Sequence, residues 1–291
     1  SRLSVFCNKI DYMTYIYEFH HIFRPDLPEY KGWTDFDFRE NLIKLDVRKS
    51  IALIVDTEKK AKDLVNYYNC INEKINIVPL SSSIIDKNLD SDIKLSKKLK
   101  NFLETREEYF FYPAQYWSHK NHIYILEVIK LINDKHNKKV KFVFTGSKKQ
   151  NYNKICEVIE RLNLKDQVIL LDYLNNFEIQ ELYKNCSALV MPSLIGYSSL
   201  PLYEAFFFKK PIFYTKDLLE EELKEFVTEI DINNLNSLAN EIINFKNKKK
   251  NLELKTINAR NYFDKHLTNE RITESYRNIF KKLINSKKIY L

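Results

Sequence analysis

Glycine and cysteine are both scarce in this sequence. Among 291 residues there are three glycines and four cysteines. Cys7, Cys70, Cys156 and Cys186 form no Cys-x-x-Cys pair, and no histidine cluster has zinc-ligand spacing, so no metal site is predicted. Scattered thiols of this kind are typical of reduced, mostly buried cysteines in a cytoplasmic protein. The scarcity of glycine also makes Gly196 conspicuous, because it lies just before an expected helix start.

Long apolar runs are absent as well. No run approaches the ~18 to 20 residues of a membrane span, and no signal-peptide pattern opens the chain, which predicts a soluble, cytoplasmic protein. The formal net charge is +8, which suits phosphate-bearing ligands or an anionic membrane surface. Basic residues are not interleaved with aromatics at the spacing of a nucleic-acid module, so nucleic acid is not a predicted partner. Peripheral contact with a membrane stays an open option.

From about Glu107 onward, short β-rich runs alternate with amphipathic helical stretches. The runs are YFFYP (109–113), VKFVFTG (140–146), QVILLD (167–172), ALVMPS (188–193) and PIFYT (211–215). Strand, helix and strand in repetition predict right-handed crossovers and a parallel sheet covered on both faces. The fold class is therefore α/β and doubly wound. Ligands of such sheets bind beyond the carboxyl ends of the strands.

The N-terminal part repeats this style more briefly. It contains YIYEFHHIF, IALIVD (51–56), a helix from Thr57 to about Asn69, and INIVPL (75–80). The predicted organisation is a partial first domain (1–88), a linker (89–106), a second domain (107–268) and a C-terminal helix (269–291) that could pack back on the first domain. Three strands are few for a complete domain, so either the domain is reduced or upstream sequence is missing. The lysine run KNKKK (246–250) is interpreted as a solvated turn.

Two loops of the second domain offer donors to an anion. In LIGYSSLPLYEAFFF, the strand ALVMPS leads to a helix for which Pro201 suits the first position. The peptide N–H groups of Ser198, Ser199 and Leu200 would then favour a phosphate. Glu204 would lie in the first turn, where it could also simply complement the helix dipole.

The second loop is YPAQYWSHKNH (112–122), in which Lys120 could bind a diphosphate and Gln115 could assist as a neutral donor. His119 and His122 add to the density of donors, whereas Trp117 can equally be a packing residue. A third loop, FTGSKK, places Gly146 where a backbone could approach a ligand closely.

These segments in this order resemble the donor-binding domain of family-four retaining glycosyltransferases of the GT-B fold, also called glycosyl transferases group 1. The segments EFHHIFRPDLPEY, DFRENL and IVDTEKKAKDLVNYYN resemble the second half of the same enzymes' acceptor domain. The resemblance implies two Rossmann-like domains facing a cleft, the first one partial here. It implies that 107–268 binds a nucleotide sugar.

The resemblance also assigns roles to individual residues. It implies that Glu204 accepts hydrogen bonds from the ribose, that Lys120 binds the diphosphate, and that His21 faces the donor sugar, with His20 next to it. Further donor contacts implied by the resemblance are Gln115, Gly146, Ser147, Tyr173, Gly196, Tyr197, Ser198, Ser199 and Leu200. The family's first motif glutamate is replaced by Gly196, and its two glycines by Tyr197 and Ser199, so sugar recognition would depend partly on backbone, Tyr197 or Ser198.

The activity implied is metal-independent, retaining transfer of a hexose from a nucleoside-diphosphate sugar to a glycan or lipid-linked acceptor in surface polysaccharide synthesis. No cofactor is expected. Two alternatives remain open: a non-catalytic nucleotide-sugar-binding subunit, and a sugar-nucleotide epimerase of the same fold. Donor turnover only with acceptor present would separate the transferase from both.

Overall fold

The computed structural model describes residues 10–31, 33–85, 95–196 and 199–288. The chain divides into two compact units. The first unit is drawn from the segments Ser1–Ser81, Gly196–Ser199 and Asp264–Leu291, and the second from Ser82–Ile195 and Leu200–Phe263. Both units contain parallel sheets with helical crossovers, which confirms the predicted α/β class.

The second unit is built on a six-stranded parallel sheet with the order β6-β5-β4-β7-β8-β9. Every neighbouring pair in this sheet is parallel. The strands, almost entirely buried at the centre of the sheet, are β4 (Tyr109–Pro113), β5 (Lys141–Thr145), β6 (Val168–Leu171), β7 (Ala188–Met191), β8 (Ile212–Thr215) and β9 (Thr228–Ile230).

Helices precede, connect and follow these strands, and those between β4 and β7 lie where the apolar periodicity predicts them. They are α4 (Lys97–Glu104), α5 (His122–His136), α6 (Tyr152–Arg161), α7 (Asn176–Asn185), α8 (Leu200–Phe207), α9 (Glu221–Lys224), α10 (Leu235–Ile243) and α11 (Lys249–His266). Helix α7 begins with a capping box, in which Asn175 and Glu178 each accept a hydrogen bond from the other's backbone N–H.

Asparagine takes the left-handed backbone positions that glycine usually fills at helix ends. Asn69, Asn121, Asn137 and Asn163 all have φ between 48° and 55°. Asparagine tolerates this region better than other residues with a Cβ. The chain can therefore end its helices sharply with only three glycines.

The first unit contains a three-stranded parallel sheet with the order β1-β2-β3. Its elements are β1 (Met13–Tyr15), α1 (His20–Phe23), α2 (Trp33–Lys49), β2 (Ala52–Val55), α3 (Glu58–Tyr68), β3 (Ile75–Ile77) and α12 (Asn269–Lys288). Leu53 and Val55 pack with Leu64 in one apolar cluster, whereas Ile54 packs with residues of α12 in another. The alternation of side chains along β2 thus supplies a core on each face of the sheet.

Two local features differ from the sequence-based expectation. YIYEFHHIF is not one extended run, because the chain leaves β1 at Tyr15 and His20 begins a helical turn, with Glu18 Oε2 accepting the His20 N–H at 2.6 Å. Helix α8 begins at Leu200, so Pro201 is its second residue and Glu204 lies in its second turn.

The second unit begins at Ser82, whereas the sequence predicted that the first domain ends at residue 88 and the second begins at residue 107. Side chains of α7 explain this position, since Asn176 Nδ2 donates to Ser83 Oγ at 3.1 Å and Gln180 Nε2 donates to the Ile84 carbonyl at 2.6 Å. Much of the predicted linker, residues 86–94, lies outside the described residues. No helix within the described part of the chain is long and apolar enough to span a bilayer.

Candidate functional site

The strand order of the second unit reverses between β4 and β7. From β4 the sheet continues to β5 and β6 on one side, and from β7 to β8 and β9 on the other. Such a reversal leaves a crevice at the carboxyl ends of the two strands, and ligands of open parallel sheets bind there. The loop 114–121 after β4 and the segment 192–195 after β7 therefore border the candidate site.

Tyr112, in β4, links these two segments. Its phenol donates to the Lys120 carbonyl oxygen at 2.8 Å and lies 3.1 Å from Ser193 Oγ. A backbone bond adds to this link, since the Leu194 N–H donates to the His119 carbonyl at 2.8 Å. Sequence reasoning missed Tyr112, because a tyrosine in an aromatic strand reads as a core residue.

Lys120 is a charged group at the crevice that has no counter-charge among the described residues. Within the described residues its ammonium has neither a hydrogen-bond acceptor nor a carboxylate partner. Burial lowers its pKa to about 8. The residue is only partly exposed, so its charged form is disfavoured in the folded chain, and an anionic ligand would offset that cost.

The two histidines of this loop are buried rather than open to a ligand. His122 is fully buried, with its ring centroid 4.8 Å from that of Tyr112 and 5.1 Å from that of Phe144. Burial lowers its pKa to about 3, and the nearby Lys120 charge acts in the same direction. The ring is therefore neutral near pH 7 and adds no second charge beside Lys120.

Gly146 allows the loops after β4 and β5 to touch. Its φ is 155°, and an added Cβ would lie 2.7 Å from the Ala114 carbonyl oxygen. The Tyr116 N–H donates to the Ser147 carbonyl at 3.3 Å. The Gly146 backbone thus lies close to Ala114, and the ligand contact expected at Gly146 stays a prediction. Next to it, Gln115 Oε1 accepts the indole N–H of Trp117 at 2.9 Å.

Glu204 is buried and held by two hydroxyl groups. Ser82 Oγ donates to Oε1 at 2.6 Å, and the Tyr183 phenol donates to Oε2 at 2.8 Å. Burial raises the pKa of this carboxyl, and the two hydrogen bonds act in the opposite direction. Neither partner was expected from the sequence, since Ser82 is 122 residues away and no local pattern links them.

Two further residues of the second unit were predicted to contact the sugar-nucleotide donor, namely Tyr173 and Leu200. Tyr173 follows β6 and is 77% exposed. Leu200 is the first residue of α8. Tyr173 is the one large hydrophobic side chain at this end of the described sheet that is mostly open to solvent.

The two histidines of the first unit have different environments. The His21 side chain is fully buried, with Nε2 3.2 Å from Glu40 Oε2 and its ring edge-on to Phe36. The His20 side chain is 18% exposed, and its Nδ1 lies 3.5 Å from a carboxylate oxygen of Glu18. Of the two rings, His20 is the one that remains accessible.

Gly196, assigned by the sequence to the donor loop, lies beside His20 in the first unit. Its φ is 122°, and an added Cβ would lie 3.8 Å from His20 Nε2. Ser199 belongs to the same unit. Tyr197 and Ser198, also predicted to contact the donor, lie outside the described residues.

Comparison with known proteins identifies the relatives of this chain. Residues 94–262 match the family model described as glycosyl transferases group 1. A comparison with curated protein sequences found no significant match. The match covers the strands and helices that form the crevice in the second unit.

Solved structures with the same fold include three glycosyltransferase-related proteins. TarM of S. aureus is 22% identical, with a TM-score of 0.65 over 84% of this chain and 46% of its own. Alr3699/HepE of Anabaena, solved with UDP-glucose, is 16% identical, with a TM-score of 0.72 over 97% of this chain and 75% of its own. WaaG, described as a glycosyltransferase involved in lipopolysaccharide biosynthesis, is 15% identical, with a TM-score of 0.67 over 92% of this chain and 75% of its own. The chain spans about half the length of the TarM structures. These similarities confirm the GT-B fold.

Proposed function

Because the chain belongs to the family of glycosyl transferases group 1, we propose that it transfers a hexose from a nucleoside-diphosphate sugar to a glycan or lipid-linked acceptor. The Anabaena neighbour is solved with UDP-glucose, and WaaG acts in lipopolysaccharide biosynthesis. Those descriptions support a uridine-diphosphate sugar as donor and surface polysaccharide synthesis as the setting.

The observation that carries this proposal is the Lys120 ammonium, which has no partner among the residues that the structure describes. In the transfer, the bond between the anomeric carbon and the diphosphate oxygen breaks, and negative charge develops on the leaving diphosphate. A partly buried cation fixed at the crevice stabilises that charge more in the transition state than in the ground state. The hydrogen bonds of Tyr112 hold the Lys120 backbone in place for this purpose.

We propose a retaining and metal-independent reaction. The acceptor oxygen attacks the anomeric carbon from the face that the diphosphate leaves, and a leaving phosphate oxygen takes the acceptor proton. This route requires no protein nucleophile, and the Lys120 cation serves as the counter-charge that a metal ion supplies in other transferases.

Glu204 is proposed as an acceptor for the ribose hydroxyls. Each of its oxygens accepts one hydrogen bond in the structure, and a carboxylate oxygen has a second lone pair for another donor. Ser82 and Tyr183 then act as positioning residues that hold this carboxylate.

Of the two adjacent histidines, we propose His20 rather than His21 as the one that orients the donor sugar. The His21 ring is buried and bonded to Glu40, so it would act as a structural residue, whereas the His20 ring is partly open. His20→Gln should lower the transfer rate and leave the unfolding midpoint unchanged. His21→Gln should lower the midpoint, because it disturbs a buried hydrogen bond worth ~1 to 3 kcal/mol. If both variants lower only the midpoint, the assignment of His20 is wrong.

The experiment that tests the function combines binding and turnover. Titration calorimetry with UDP, GDP, ADP and dTDP identifies the base, and a labelled sugar nucleotide is then incubated with and without a panel of glycan acceptors. Product that forms only with acceptor supports the transferase. Conversion of the donor without acceptor would identify an epimerase, and binding with no turnover in either case would identify a binding subunit.

A further inference from the structure

A lysine-lined groove lies at the amino-terminal end of the second unit's sheet, the end opposite to the candidate site. Its first part is a cavity of about 520 Å³, bordered by Glu108, Ser187 and Pro211, which lie next to the starts of β4, β7 and β8. Four lysines line it: Lys209, Lys210, Lys246 and Lys249. The run interpreted from sequence as a solvated turn thus contributes to a larger feature.

The second part is a neighbouring cavity of about 500 Å³ that shares Glu108, Ser187, Phe245 and Lys246 with the first. It adds the lysines that lead into β5, namely Lys138, Lys139 and Lys141. Seven lysines from three separate chain segments therefore converge on one continuous surface, which we call the basic groove.

The lysines of the basic groove are only partly neutralised. Among the lining residues the carboxylates are Glu108 and Glu253, which lie 3.1 Å from Lys246 and 3.8 Å from Lys249. Both pairs are largely exposed, so solvent screens them strongly. A third lysine, Lys141, pairs with Glu107, which does not line the groove, and the Lys210 ammonium donates to the carbonyls of Lys184 and Cys186. Because seven lysines face only three paired carboxylates, the groove keeps a positive potential.

Exposed apolar side chains also lie on α11, the helix whose residues Lys249, Glu253 and Thr256 line the first cavity. The helix begins at Lys249, and Lys250, Leu254 and Ile257 follow at positions i, i+4 and i+7 of one stripe. Leu254 is 59% exposed and Ile257 is 51% exposed. In the described part of the second unit, the only other large apolar side chain of comparable exposure is Tyr173, after β6.

We propose that the basic groove and the stripe Lys250, Leu254 and Ile257 form a docking surface for an anionic lipid bilayer. Lysine clusters next to exposed aliphatic side chains suit such a surface, because the ammonium groups are attracted to acidic headgroups while the aliphatic groups enter the interface. No arginine lines either cavity, whereas phosphate recognition in nucleic acids favours the bidentate geometry of arginine. This inference does not depend on the proposed transfer reaction.

The test is co-sedimentation of the 291-residue chain with two kinds of vesicle, each at two salt concentrations. One kind contains phosphatidylcholine alone, and the other contains phosphatidylcholine with about 30% anionic phosphatidylglycerol. We expect binding only to the anionic vesicles, weaker at higher salt. Changing Lys139, Lys246 and Lys249 together to Gln should weaken binding by roughly 10- to 100-fold, since each lysine near an anionic surface contributes up to about fivefold. Leu254→Ser combined with Ile257→Ser should weaken binding by about tenfold.

Matched controls remove the same charge or apolar area elsewhere. Lys31, Lys154 and Lys216 are exposed lysines outside the groove, and changing all three to Gln should leave vesicle binding near the wild-type level. Ile10→Ser with Ile71→Ser serves the same purpose for apolar exposure, since these side chains are 70% and 58% exposed. Circular dichroism of each variant checks that the fold is kept.

Three results would overturn the proposal. The first is equal binding to neutral and anionic vesicles, or none to either. The second is wild-type binding by the groove variants. The third is loss of vesicle binding in the lysine variant but not in the Leu254 and Ile257 variant, combined with tight binding of the wild-type chain to soluble heparin or polyglutamate. That combination would identify a polyanion-binding surface instead.

Discussion

Replacement of Lys120 by methionine should have opposite effects on stability and on ligand binding. Burial lowers the pKa of the Lys120 ammonium from 10.5 to about 8. At 1.36 kcal/mol per pKa unit, the charged form is disfavoured in the folded chain by at most about 3 kcal/mol. Methionine keeps most of the side-chain volume without the charge, so Lys120→Met should raise the free energy of unfolding at pH 7 by up to that amount.

The pH dependence of this gain follows from linkage. Below pH 8 both folded and unfolded wild-type chains carry the Lys120 proton, and the folded state has the full cost of this partly buried charge. Between pH 8 and 10.5 the unfolded state binds more protons, so wild-type stability rises with pH in this window. The advantage of the methionine variant should therefore shrink as the pH approaches 10.5.

Ligand binding should change in the other direction. The ammonium would form charge-assisted hydrogen bonds with a diphosphate, worth ~1.5 to 3 kcal/mol, so Lys120→Met should weaken nucleotide binding by about 10- to 150-fold. Urea unfolding at several pH values and titration calorimetry measure the two effects, with Lys154→Met as an exposed control. A variant that is less stable at pH 7 and binds nucleotide as tightly as the wild type would refute the reasoning.

Three further substitutions test other parts of the structure by urea unfolding. Tyr183→Phe leaves Glu204 Oε2 without its 2.8 Å donor and should cost ~1 to 3 kcal/mol; an unchanged midpoint would mean that water replaces the phenol. Gly146→Ala should destabilise the chain more than Gly196→Ala. Both glycines have positive φ, but only Gly146 would place a Cβ 2.7 Å from a backbone oxygen. Equal losses of unfolding free energy would show that backbone strain, rather than this contact, dominates. Arg106→Gly should stabilise the chain by ~0.5 to 1 kcal/mol, since Arg106 has a φ of 54°, and a loss of stability would indicate that its side chain contributes a contact.

The sequence predicted the second unit well, because its strands are short, apolar and regularly spaced. β4 and the helix after it were expected from YFFYP and the periodicity that follows, and the structure places them as expected. The first unit was harder, because the turn that starts α1 depends on a side-chain bond between Glu18 and the His20 N–H. Apolar periodicity does not contain such a signal.

The candidate site was predictable only in part, for a similar reason. The loop containing Lys120 has a recognisable composition. Whether a carboxylate pairs with the Lys120 ammonium depends on which side chains fold near it, and the composition does not show this. The hydroxyl partners of Glu204 come from Ser82 and from α7, 122 and 21 residues away. The burial of His21, against the accessibility of His20, likewise follows from the packing of Phe36 and Glu40 rather than from spacing.

The discontinuous first unit has a consequence for synthesis on the ribosome. Ile272 and Ile279 of α12 complete the apolar cluster around Ile54 and Val78, yet they are translated almost two hundred residues after that sheet. The second unit can acquire its core while α12 is still inside the ribosome, whereas one face of the β1-β2-β3 sheet stays uncovered until α12 has emerged. The nascent chain therefore exposes an apolar surface late, at the stage when chaperones act on incomplete domains.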